Sequence, residues 1–133
     1  MTVLDRIDGD RLDLLHRLTA AMRERAQHRG DELRIRPGVT WISFWSTRAA
    51  RVFAEVRPGR NGLQAFLLPP RAELRDAGGF ARPAPESQGW GWFRTKVVIP
   101  ASESRAAISL LTQSLDYSYR LPPSRRRPRG RRP

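Results

Sequence analysis

The 133-residue chain has no cysteine. Disulfides, thiolate nucleophiles and cysteine-based metal sites are therefore excluded. Lysine is almost as scarce: Lys96 is the single lysine among 25 basic residues, and the others are arginine. The codon bias of a GC-rich genome would account for much of that skew. It does not account for the net charge of +12, because such codons also supply acids. No apolar run approaches the length that spans a bilayer. The first residues, MTVLDRIDGDRLD, are studded with acids and hold no apolar segment, so no signal peptide is expected. These absences predict a cytoplasmic chain with no membrane partner.

Acids are also missing from the last twelve residues, PPSRRRPRGRRP. Arg125, Arg126, Arg127, Arg129, Arg131 and Arg132 stand there among prolines and a glycine, with nothing apolar to pack. Such a segment predicts a disordered cationic tail over 122–133. The tail carries six of the twelve net positive charges, so residues 1–121 keep the other six. A basic tail on a basic body points to a polyanionic partner, with nucleic acid first. Arginine suits phosphate because its planar fork binds bidentately.

Between the ends the hydrophobic period changes. Over 10–29, Leu12, Leu15, Leu18 or Thr19, Met22 and Ala26 recur at helical spacing, with Asp10 as N-cap and Gly30 as terminator. ELRIR then alternates, and Pro37-Gly38 marks a turn. TWISFW at 40–45 is aromatic and β-branched, which places Trp41, Ser43 and Trp45 on one strand face. RVFAEVR at 51–57 and LQAFLL at 63–68 flank PGRNG and predict a hairpin, since Asn-Gly tolerates the positive φ of tight turns. The stretch 78–91 reads as loop, and RTKVVI as a further strand. Ser102 is a potential cap for a helix to about Tyr119, with a stripe of Ala107, Ile108, Leu111, Leu115 and Tyr119. This order predicts an α+β domain over 10–121, after an N-terminal segment 1–9. Its antiparallel sheet of four to five strands is expected to carry the N-terminal and C-terminal helices on one face.

The segments TWISFW, RVFAEV, LQAFLL, GWGWF and LLTQSLDYSY together make the stretch 40–119 resemble a small bacterial and archaeal domain of unknown function. That family occurs alone and at the C-terminus of predicted transport proteins and restriction-associated proteins. Its glycine segment often holds a histidine beside the aromatic; Gln88-Gly89-Trp90-Gly91-Trp92 has none. The resemblance implies the same α+β fold and a setting among DNA-processing or defence systems.

No catalytic constellation is visible. His16 and His28 lie twelve residues apart on one predicted helix, about 120° apart around its axis. There is no G-x-S-x-G elbow, P-loop or H-E-x-x-H. Asp31-Glu32 and Glu55 read as isolated acids, and Lys96 follows Arg94 rather than a carboxylate. No enzyme activity, metal or cofactor is expected. Two function classes remain. One is a non-catalytic nucleic-acid-binding accessory module, using the tail arginines with Arg51, Arg57 and Arg60 on the body. Arg48, Arg94 and Lys96 are further candidates for that patch. The other is a protein- or small-ligand-binding domain whose pocket uses Trp41, Trp45, Trp90 and Trp92. The same tryptophans suit either core packing or base stacking.

Overall fold

Twenty residues of helical period, Gly9–His28, form α1. It starts two residues earlier than Asp10 as N-cap predicts: Asp8 is the N-cap, and its side chain makes no capping bond. Gly30 ends the helix by adopting φ +68°. Its N–H donates to Gln27 O, and the next N–H, of Asp31, donates to Ala26 O. This is the Schellman arrangement, in which only a residue free of Cβ takes the left-handed position without strain. The turn delivers Asp31 to the end of the helix. The computed structural model describes residues 1–85 and 92–122. Trp90, with its flanking Gly89 and Gly91, and all six tail arginines lie outside the described residues.

Among the described residues, six strands follow in one antiparallel sheet: β1 Leu33–Pro37, β2 Ile42–Ser46, β3 Arg51–Pro58, β4 Gly62–Leu67, β5 Ala81–Pro83 and β6 Thr95–Pro100. Their spatial order is β1-β2-β3-β4-β6-β5. The last helix, α2, spans Ser104–Arg120 with Glu103 rather than Ser102 at its N-cap. The α+β class and the pairing of β3 with β4 agree with the sequence. The strand count exceeds the expected four to five, because Ala81–Pro83, read as loop, pairs with β6 at the sheet edge. The hairpin also forms for another reason than expected. Neither Asn61 nor Gly62 has positive φ. Gly62 is needed because a Cβ there would lie 1.9 Å from the Ile99 carbonyl oxygen of the neighbouring strand.

Alternation assigns the two sheet faces. Ile42, Phe44, Ala54, Val56, Leu63, Ala65, Leu67, Val97 and Ile99 are buried on the helix side. Trp41, Ser43 and Trp45 have the opposite parity and are half-buried. A bulge between Phe44 and Trp45 in the β2–β3 register breaks the alternation expected over 51–57. Val52 then pairs with Trp45, while Phe53 is buried against Phe44, with ring centroids 5.9 Å apart.

The helices pack on each other and on the central strands, α1 against β4 and α2 against β3. Leu14, Leu15, Leu18, Met22 and Ala26 are the buried residues of α1; Leu14 was not in the expected stripe, and Leu12 is half-buried. On α2 the buried face is Ala107, Leu110, Leu111, Ser114, Leu115 and Ser118. Ser114 is buried with both hydrogen-bonding roles met. Its Oγ accepts from Leu68 N at 3.0 Å and donates to Phe53 O at 2.6 Å. These two bonds fix the height of α2 over β3 and β4. The N-terminal segment joins this core, with Val3 and Ile7 buried. Among the described residues, no helix is long and apolar enough to cross a membrane.

Candidate nucleic-acid interface

Asp31, set by Gly30 at the end of α1, is the hub of one end of the molecule. Its Oδ1 accepts from the backbone N–H of Glu32 at 2.7 Å and of Arg48 at 2.8 Å. Its Oδ2 accepts from Ser46 Oγ at 2.5 Å and Tyr119 OH at 2.6 Å. One carboxylate thereby joins the ends of α1, β2 and α2. Burial pushes the Asp31 carboxyl up, but donation by Ser46, Tyr119 and the Arg48 and Glu32 amides outweighs it and holds the group below its ordinary range. Burial, and next the bond to Asp31, push the Tyr119 hydroxyl above its ordinary range.

The turn between β2 and β3 is built on this hub. Ser46 Oγ also accepts from Ala49 N at 3.0 Å. Ala50 sits at φ +56°, a left-handed conformation that a residue with Cβ adopts only at a cost. Arg48 and Arg51 project from this turn and from the start of β3. Arg48 donates through Nη1 to the Arg29 carbonyl, and its guanidinium lies over the Tyr119 ring, 5.4 Å from the centroid. Arg29 covers the same ring at 4.7 Å. Asp116 on α2 takes a bidentate bond from Arg25 and a further contact from Arg29 at 3.2 Å. Arg120 lies over Tyr117 at 5.2 Å. Arg51 donates to the carbonyl of Pro122, the last described residue before the six tail arginines. Burial lowers the Arg51 guanidinium below its ordinary value.

Arg25, Arg29, Arg48, Arg51 and Arg120 thus gather where the tail begins. The expected body residues divide between two ends. Six residues of extended chain put Arg57 about 20 Å from Arg51. Arg57 lies over Trp41 at 4.5 Å and donates to Gln64 Oε1 at 3.1 Å. Arg60 is exposed on the β3–β4 turn, beside an open groove of about 490 Å³ lined also by Asp8, Asp10, Arg11 and Ser102. Lys96 pairs with Arg82 on β5 and Phe66 on β4, while Arg94 is exposed ahead of β6.

Of the described tryptophans, Trp41 packs against the core. Trp41 lies 5.2 Å from Phe66, and Phe66 lies 6.2 Å from Phe93; both phenylalanines are buried. Trp92 is 40% exposed and lies against Phe93 at 6.0 Å. None of the described tryptophans lines the groove beside Arg60. Glu55, read as an isolated acid, is buried on the same sheet face and accepts from Ser43 Oγ at 2.8 Å. Among the described residues, no three His, Asp or Glu side chains group to hold a metal ion.

The residue most easily missed from sequence is Asp31. Its partners lie up to 88 positions away, and in sequence it reads as an isolated acid. No family model, curated protein or solved structure matches the chain.

Proposed function

We propose that the protein is a non-catalytic nucleic-acid-binding module that holds phosphates through the arginine-rich tail and a basic body surface. One observation carries this reading. The tail leaves the domain at Pro122, in contact with Arg51 and beside Arg48, Arg29 and Arg120. The segment that follows Pro122 adds six arginines in sequence to this cluster, and positive charge gathered in this way attracts a polyanion. Binding of this kind is largely independent of base sequence, because phosphate contacts position a protein without reading bases. The resemblance is to a domain found alone and at the C-terminus of predicted transport proteins as well as restriction-associated ones, and only the latter setting leans toward an accessory role in DNA processing or defence.

Fluorescence anisotropy with labelled duplexes of unrelated sequence tests the proposal. Full-length protein should bind all of them with similar affinity, and binding should weaken steeply as salt rises. Absence of binding at low salt would overturn it in favour of a protein- or small-ligand-binding role. An affinity that ignores salt would point the same way, since an apolar pocket is not screened.

A further inference from the structure

The five arginines at the tail end do not have one physical origin. α1 and α2 run parallel, so both carboxyl ends meet there, as the Arg25 and Arg29 contacts with Asp116 show. A cation in the last turn of a helix is stabilising because it complements the helix dipole. That effect accounts for Arg25, Arg29 and Arg120 without any ligand. It does not account for Arg48 and Arg51, which belong to the β2–β3 turn and to β3. Among the described residues, neither of these two forms a salt bridge. Their donors go to the carbonyls of Arg29, Ala49 and Pro122. The nearby carboxylates are already engaged, Asp116 by two arginines and Asp31 by four donors.

The turn that presents them is fixed in place by Asp31 and Ser46, so little ordering entropy remains to be lost on binding. The aromatic rings beside them are already occupied. Arg29 and Arg48 lie over Tyr119, whose hydroxyl is bonded to Asp31, and Arg120 lies over Tyr117. The surface therefore offers guanidinium groups and little ring face on which a base would stack. At the other end of β3 the setting is adverse. Arg57 is bound to Gln64 and lies over Trp41, and Arg60 shares its groove with Asp8 and Asp10.

Building on the nucleic-acid reading above, we infer that Arg48 and Arg51 are the body's own contacts to the sugar–phosphate backbone of a duplex. Arg57 and Arg60 take no part. The test is the salt dependence of duplex binding by the full chain and three double variants. R48A/R51A should make the slope of log K against log salt shallower by about 1.8, at about 0.9 per phosphate. R48K/R51K should restore most of it, because lysine keeps the point charge. R57A/R60A should leave the slope unchanged. Thermal melting of each variant confirms that the fold is retained, and the lysine pair serves as a second probe if the alanine pair is destabilised. A slope that moves with R57A/R60A but not with R48A/R51A would overturn the inference while leaving nucleic-acid binding intact. An unchanged slope in every variant would also overturn it and leave the tail as the sole contact. Loss of all binding by the unmodified chain would instead remove the reading beneath it.

Discussion

The two ends of β3 carry similar arginines in opposite surroundings. At the Arg51 end a carboxylate, Asp31, is committed to four donors and holds a turn in place. At the Pro58 end the carboxylates of Asp8 and Asp10 line an open groove, and Asp8 is 92% exposed. Both ends also receive two helix termini. The carboxyl ends meet arginines, while the amino ends carry Asp8, Asp10 and Glu103. Helix dipoles favour this separation of charge. Counting arginines along the chain is therefore a poor guide to a surface. Arg48, Arg51, Arg57 and Arg60 are neighbours in sequence, yet an extended strand carries two of them about 20 Å from the others.

The largest expected contrast is between two aspartates. Asp31→Ala should cost about 3 kcal/mol, since several donors lose a charged acceptor at a partly buried site. Asp8→Ala should lower the melting temperature only slightly, because its exposed side chain makes no capping bond and only a long contact of 3.5 Å with Arg11. Equal effects in denaturant titration would break the comparison. Tyr119→Phe comes next, at about 1.5 kcal/mol, as it removes a single donor to Asp31.

Acid should act through the same end. The Asp31 carboxyl is held below its ordinary value in the folded state, so its contribution is present above the unfolded pKa of about 3.9. That contribution should fade as pH falls through the lower folded value. Tyr119 has the opposite sense. Its hydroxyl is raised, so stability should be lost as pH climbs above the unfolded value of about 10. In Asp31→Asn the acid-side loss should shrink; an unaltered acid profile would show that other carboxylates control it. The smallest effect is expected at the turn. Ala50→Gly should stabilise by about 0.5 kcal/mol, because relief of left-handed strain slightly exceeds the added unfolded-state entropy.

Much of the fold was legible in the sequence. Periodicity located both helices and the principal strands, because each buries one regular face. Gly30 marked a terminus through a backbone need that only glycine meets easily. The missed parts depend on distant partners. Ala81–Pro83 is too short to read as a strand until β6 pairs with it. The bulge at Phe53 leaves no local pattern, and Ser114 looks like an ordinary helix serine until Phe53 and Leu68 reach it. The candidate site was half legible. Arg51 was picked out from composition, while Asp31, Tyr119 and the division of the arginines between two ends required the tertiary structure.

The most direct test of the central claim compares duplex binding by the full chain with that of a chain lacking residues 123–133, across a range of salt concentrations. Full engagement of six tail arginines predicts that the slope of log K against log salt falls by about 5 on truncation, at about 0.9 per contact. The melting temperature should stay nearly constant, and a weaker salt-dependent affinity should persist through Arg48 and Arg51. Equal slopes for the two chains would show that the tail is a bystander, and no duplex binding by the full chain at low salt would contradict the account altogether.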